Sequence, residues 1–236
     1  MASSLDYWVI TGASRGIGLE LAKLALQSGH QVAALVRDPQ GSPDLAALMQ
    51  KHGDQLKVIK TDVQAPSDLQ AAAARLHEQG WNRVDVLINN AGTYVDGEHG
   101  LETLTPELLQ QSFAVNSIAP LCATQAFLKL LAESPAARVA NVSSLMGSIA
   151  DNEGGGSYAY RMSKAALNML TKTLSRDYAK IISISLHPGW VKTRMGGGNA
   201  PTEVAESGAG LMKVIMGATA KVSGHFFDFE GEELPW

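Results

Sequence analysis

Short apolar runs alternate with helical patterns from one end of the chain to the other, and that alternation limits its fold more than any other feature. The strand-like runs are Tyr7–Thr11, Gln31–Arg37, Leu56–Val63, Val84–Asn90, Arg138–Ser143, Ile181–His187 and His225–Phe229. Between them, Gly16–Ser28, Asp44–His52, Ser67–Gln79, Pro106–Leu131, Tyr158–Lys180 and Thr202–Met216 carry helical periodicity. Such alternation implies right-handed crossovers and a parallel sheet covered by helices on both faces. Ser42-Pro43 and Pro66-Ser67 mark helix starts, and no internal repeat or linker divides the chain. The expectation is one doubly wound α/β domain over residues 1–236, built on about seven parallel strands.

The first apolar run passes into Gly12-Ala13-Ser14-Arg15-Gly16-Ile17-Gly18 and then into a helical stretch from Leu19. Strand, glycine turn and helix form the setting in which a dinucleotide pyrophosphate rests on a helix N-terminus, as in Rossmann-type domains. Glycine lets phosphate reach the backbone with no β-carbon in the way. The spacing is GxxxGxG rather than GxGxxG. In such sheets the ligand lies beyond the carboxyl ends of the strands. The unusual polar and glycine clusters all fall there: Thr11–Gly18, Arg37, Asp62, Asn89–Gly92, Ser143-Ser144 and His187–Thr193.

Tyr160 and Lys164 stand one helical turn apart, so phenol and ammonium share a face. A nearby positive charge favours phenolate, which predicts a lowered phenol pKa and a group able to act as general acid near neutrality. Tyr160 alone among the five tyrosines has lysine at i+4. Pro120 lies inside the Pro106–Leu131 pattern and has no N–H, so it leaves the carbonyl of Asn116 without its i→i−4 donor.

Composition narrows the function. A net charge of −4 and a pI near 5.9 argue against a nucleic-acid partner or an anionic membrane surface. The lone Cys122 suits a reducing compartment, and neither a signal pattern nor a long apolar run is apparent, so a cytoplasmic protein is expected. The six histidines show no metal-ligand spacing, so no metal is expected, and no G-x-S-x-G elbow is present.

Taken together, Thr11-Gly12-x-x-x-Gly16-x-Gly18, Asp62-Val63, Asn89-Asn90-Ala91-Gly92, Asn116, Ser144, Tyr160-x-x-x-Lys164 and Pro188-Gly189-x-Val191-x-Thr193 resemble the short-chain dehydrogenase/reductase family. Asn141–Ile149, Tyr158–Arg161 and Phe226-Phe227-Asp228 are similar to its C-factor and sniffer-like carbonyl reductases. The resemblance implies NAD(P)(H)-dependent carbonyl/alcohol oxidoreduction on a small carbonyl substrate. It makes Tyr160 the proton donor and Lys164 the residue that holds the nicotinamide ribose. Ser144 would hydrogen-bond the carbonyl oxygen, and Asn116 would hold a water in a proton path. Gly12, Ser14, Arg15, Gly16, Ile17 and Gly18 would hold the phosphates, Asp62 and Val63 the adenine, Asn90, Ala91 and Gly92 the adenosine ribose. Pro188, Gly189, Val191 and Thr193 would lie at the nicotinamide. His187 reads as a strand-end residue packed near the cofactor.

Cofactor choice turns on the end of the second strand. Asp38 lies at a spacing that suits an NAD enzyme, but the family pattern puts Val36 at the acid position with Arg37 after it. Arg37 and Arg15 would clamp a 2′-phosphate, so NADP(H) is expected. The Ser144–Tyr160 interval is longer than the family's usual layout, and the loop after Thr193 is short and glycine-rich, which predicts an open pocket. Surplus apolar residues, including Phe113, Leu121, Phe127, Met162, Met169 and Leu170, predict a homodimer or homotetramer. A nucleotide-binding signalling or regulatory protein that acts through a partner is the alternative.

Overall fold

The computed structural model describes residues 5–97 and 99–236. Among them, seven strands form one all-parallel sheet: β1 (Tyr7–Thr11), β2 (Gln31–Val36), β3 (Leu56–Lys60), β4 (Val86–Asn89), β5 (Arg138–Val142), β6 (Ile182–His187) and β7 (His225–Asp228). Their order across the sheet is β3-β2-β1-β4-β5-β6-β7, so the chain reverses its direction of travel between β1 and β4. That reversal opens a crevice at the carboxyl edge, where ligands of doubly wound sheets bind.

Neighbouring residues in a strand face opposite layers, and the core divides accordingly. Trp8 and Ile10 of β1 pack with α1 (Gly16–Gln27) and α7 (Val204–Gly217), and Leu45 of α2 (Pro43–His52) joins that layer. Val9, between them, faces α3 (Pro66–Glu78), α5 (Ala119–Ala132) and α6 (Tyr158–Asp177). Trp8, Phe127 and Phe226 are fully buried, each contributing about 2–3 kcal/mol by leaving water. The proline-marked starts are built as the residues dictate. Pro43, Pro66 and Pro106 each sit in a first helical turn, where a missing N–H costs nothing. Ser42 accepts from Leu45 N at 3.2 Å and Thr105 from Leu108 N at 3.4 Å.

One expected helix is not continuous. The Pro106–Leu131 pattern resolves into α4 (Pro106–Phe113), a π-helical turn over Ala114–Ile118 and then α5. Pro120 cannot donate to Asn116, and the ladder widens just before it, with Ala119 N donating to Ala114 O, five residues back. The widened turn holds Asn116, which is fully buried. By length and a mean hydropathy of 1.2 the Pro106–Ala132 stretch is long and apolar enough to cross a membrane. It lies instead along the sheet, with Phe127, Leu130 and Leu131 in the core. Phe127 is therefore a core residue and not part of a surplus stripe, whereas Leu121, Met162 and Met169 are exposed. β3 ends before Asp62 and Val63, which stand on the following loop.

Candidate active site

The carboxyl ends of β1, β2, β4, β5 and β6 open into a cavity of about 1020 Å³. Gly12, Ser14, Arg15, Gly16 and Ile17 line it from the glycine turn, and Arg37, Asp62 and Val63 from the neighbouring loops. Asn90, Ala91 and Gly92 line it from the loop after β4, Tyr160 and Lys164 from α6, and Pro188 and Thr193 from the loop after β6, with Thr193 close over Gly16. Gly18, Gly189 and Val191, also expected to touch a cofactor, do not line the cavity. Gly18 is packed so closely on Asn90 that an added β-carbon would lie 2.4 Å from its Nδ2. Val191 is buried and bridges to Thr202.

A small set of hydrogen bonds shapes the glycine turn. Thr11 Oγ1 accepts from Asn90 N at 3.0 Å and Ala91 N at 3.1 Å. In return, Asn90 Nδ2 donates to Thr11 O at 2.9 Å and Gly12 O at 3.2 Å. Asn90 thus latches the turn after β1 to the loop after β4. The N-cap position of α1 is Arg15, which supplies no side-chain acceptor, so the first-turn N–H groups have no side-chain cap. This is a donor set that an anion fits.

At the other end, Lys164 is buried and its Nζ donates to Val142 O, the last carbonyl of β5, at 2.8 Å. The same ammonium stands 5.6 Å from the centre of the Tyr160 ring. Ser144 Oγ accepts from Met146 N at 3.2 Å, shaping the turn after β5. Gly147 closes that turn on α6; an added β-carbon there would sit 2.7 Å from Lys164 Cβ. Asn116 lies across the gap, but its side chain is fully engaged. Oδ1 accepts from Thr93 N at 2.8 Å, and Nδ2 donates to Thr93 O at 2.9 Å and Ser163 Oγ at 3.0 Å. The amide is a clamp between the 90–93 loop and α6, and a bound water would have to use the main-chain carbonyl.

The clamp has a second jaw that the sequence reading missed. Asp96 is 1% exposed, and its carboxylate accepts from Ala159 N at 2.8 Å and Tyr160 N at 2.9 Å. It caps α6 from a loop more than sixty residues away. Ser157, the local N-cap, has φ 47° and makes no cap of its own. Tyr94 joins the same loop to α6 through its hydroxyl, 2.9 Å from Ser157 Oγ, and its ring meets that of Tyr160 edge-on at 5.2 Å.

Comparison with known proteins gives this arrangement a family. The family model for short chain dehydrogenases matches residues 7–203. This chain belongs to the short-chain dehydrogenase family. C-signal of Myxococcus xanthus is 44% identical over 159 residues, covering 65% of this chain and 93% of that protein. The structure of NADPH-bound carbonyl reductase from chicken fatty liver superposes with a TM-score of 0.93 at 36% identity, over 98% of this chain and 99% of that one. The carbonyl reductase Sniffer of D. melanogaster gives 0.92 at 32% identity, over 98% and 100%. The chain is thus an oxidoreductase of the carbonyl reductase-like branch, the branch that its Asn141–Ile149 segment resembles.

In this short-chain dehydrogenase the protons sit otherwise than the Tyr–Lys spacing predicts. Burial pushes the Tyr160 phenol up to about 12; a hydrogen bond from Ser144 pulls the other way, and Tyr94 adds a smaller upward push. Lys164, whose ammonium bonds Val142 O and stands 5.6 Å from the ring centre, is not among the causes of the shift, and burial outweighs the expected lowering. Lys164 is itself lowered to about 8 by burial. Burial also lowers His187, against the upward influence of Asp228 and Asp151.

Two predictions follow from the packing of α6. Asp96→Ala leaves two first-turn N–H groups in a dry wall and costs about 3 kcal/mol of stability. Thermal denaturation would show a melting temperature lower by roughly 5–10 °C, and Asp96→Asn, which keeps one acceptor, an intermediate value. Replacing Lys164 by Met removes a buried cation whose native pKa of about 8 lies below its unfolded value, so the native state sheds its proton first. Wild-type stability therefore rises relative to Lys164→Met as pH climbs from about 8 to about 10.5, by roughly 3 kcal/mol. Urea unfolding of both proteins at pH 7 and pH 10 measures the change; a constant gap would show that Lys164 does not titrate in this window.

Proposed function

We propose that this protein is an NADPH-dependent carbonyl reductase that converts a ketone, aldehyde or quinone to its alcohol, with Tyr160 as general acid. The observation that carries the proposal is a buried phenol held protonated at the wall of a cavity whose opposite end is lined by arginines. NADPH in the chicken carbonyl reductase and the family membership support the cofactor.

The dinucleotide fits what lines the cavity. The uncapped start of α1 and the glycine turn would take the diphosphate, and Arg37 with Arg15 the 2′-phosphate. Val36 is buried at the end of β2 and offers no acceptor to a ribose diol. Asp38 accepts from Gln40 N at 3.0 Å within its own turn, which leaves Arg37 as the residue of this loop suited to a 2′-phosphate. Asp62 would lie at the adenine and Thr193 at the nicotinamide. Bound there, the reduced nicotinamide supplies hydride to the carbonyl carbon.

The chain's own residues handle the oxygen and the proton. Ser144 and Tyr160 bracket the position where the carbonyl oxygen sits, and the Tyr160 hydroxyl transfers its proton as negative charge develops there. A phenol with a pKa of about 12 is protonated at every physiological pH, yet an alkoxide is a far stronger base, so transfer runs downhill. Lys164 holds the ribose hydroxyls and returns a proton to Tyr160. The main-chain carbonyl of Asn116 holds the water that connects Lys164 with solvent, since the side-chain amide is committed to Thr93 and Ser163.

Likeness to C-signal favours a second reading, a nucleotide-binding signalling protein built on the same cavity. Turnover of NADPH against a panel of quinones, aldehydes and ketones separates the two, since a pure sensor turns over none.

Two further outcomes test the acid. Tyr160→Phe keeps the ring and loses the proton, so kcat for carbonyl reduction falls by about 100-fold or more while NADPH affinity, read by titration, stays within a factor of about two. Tyr158→Phe, with no lysine one turn on, leaves kcat near wild type; equal losses in both variants would reject the assignment. The pH dependence has a definite sign. The phenol stays protonated to about pH 10, so an alkaline fall in the reduction rate begins with Lys164 near pH 8, whereas alcohol oxidation needs phenolate and gains from rising pH. Initial rates in both directions across pH check this.

A further inference from the structure

Arg15, Arg37 and Arg194 line the same cavity, from the glycine turn, the end of β2 and the loop after β6. Among the described residues the ion pairs engage Lys23, Lys57, Arg83, Lys192 and His225, and none of these three arginines. Three carboxylates also line the cavity, and none is ion-paired with these arginines. Glu20 is held by Lys23 at 3.0 Å, Asp38 accepts from Gln40 N and Asp62 from Gln64 N, both at 3.0 Å. Arg15 is lowered first by burial, then by the charge of Arg194, and after that by Arg37. Three guanidinium groups facing one cavity, none of them in an ion pair among the described residues, define a site for an anion.

Arg194 has no part in the assignments made so far, and its place in the fold separates it from Arg37. Thr193, its neighbour, stands with Cγ2 3.4 Å from a β-carbon built on Gly16, so this loop lies over the first residue of α1. Arg37 belongs to the end of the adjacent strand, beside the ribose position, and Arg15 stands between the two. The loop that carries Arg194 is braced within itself. Gly196 N donates to Thr193 Oγ1 at 3.1 Å, Gly197 N to Thr193 O at 2.9 Å, and Trp190 Nε1 to Gly196 O at 2.7 Å. The guanidinium therefore comes from a small, self-bonded turn, pre-set over the helix start. Lys192, the other cation of this loop, is paired with Glu203 and leaves the task to Arg194.

We propose that Arg194 binds the diphosphate bridge of the dinucleotide, completing from above the anion site that the α1 N-terminus and glycine turn form from below, and leaves the 2′-phosphate to Arg37. This rests on the cofactor reading given above. A planar guanidinium gives charge-assisted, two-pronged bonds to phosphate oxygens, and these depend on the diphosphate rather than on the nicotinamide or the 2′ position.

Isothermal titration of wild type, Arg194→Ala and Arg37→Ala with NADPH, NADH and ADP tests the division of labour. ADP carries the diphosphate but neither nicotinamide nor 2′-phosphate. Arg194→Ala should weaken all three ligands by a similar factor, about tenfold to a hundredfold, whereas Arg37→Ala should weaken NADPH alone. Arg194→Lys, which keeps the charge without the fork, should recover part of the loss. Arg194 is exposed, so the substitution leaves the fold intact, and an unchanged melting curve verifies this. Unchanged affinities in Arg194→Ala overturn the proposal, and a loss confined to NADPH moves Arg194 to the 2′-phosphate and overturns it equally. Wild-type protein that binds none of the three ligands removes the cofactor reading itself, an outcome distinct from an effect of Arg194 alone.

Discussion

The bond from Lys164 Nζ to Val142 O, 2.8 Å long and buried, fixes α6 to the sheet at the wall of the cavity. A parallel strand leaves its last carbonyl without a ladder partner, and here that carbonyl takes a cation. Because α6 is rigid, anchoring Lys164 also sets the height of Tyr160 one turn earlier. Gly147 makes the approach possible, since any side chain there would collide with the backbone of α6 beside Lys164. Asn116 and Asp96 then hold α6 from the opposite side, one by an amide and one by a carboxylate. The reactive groups are thus positioned by bonds reaching in from β5, the π turn and the 93–97 loop.

That arrangement has an electrostatic consequence. Taking phenol and ammonium out of water opposes the charged form of each, so one pKa rises to about 12 and the other falls to about 8. The two shifts leave a phenol that holds its proton beside a cation whose proton is loosely held, states that suit the proposed reduction. At the other end of the cavity the logic is reversed. There arginines gather that make no ion pair among the described residues, and under the proposed function the phosphates of the cofactor would relieve their repulsion.

Much of the fold was legible because it rests on local signals. The apolar runs, the prolines at helix starts and the glycine turn each act within a few residues, and right-handed crossovers then require a parallel sheet covered on both faces, although its strand order is seen only in the structure. The site was legible where a motif carries its own geometry, as in Tyr160-x-x-x-Lys164. It was not legible where the partner lies far along the chain. Asp96 reads in the sequence as one acidic residue in a polar loop, yet its two bonds to the start of α6 make it a cap. Pro120 announced an irregular helix, but only the packed neighbours decide that the ladder widens into a π turn.

The lowered tyrosine pKa is the instructive error. Spacing alone places Lys164 beside Tyr160, and in water that proximity would favour phenolate. Burial overrides it, because desolvation depends on everything packed around the hydroxyl, and that information is absent from an eight-residue segment. By itself the sequence determined a doubly wound parallel sheet, the edge at which a ligand binds, and the residue types gathered there, since periodicity and glycine spacing are properties of neighbouring residues. The tertiary structure alone decided which side chains are dry, which amides are already committed and which arginines make no ion pair among the described residues, because solvation and hydrogen-bond partners are set by segments that meet only when the chain folds.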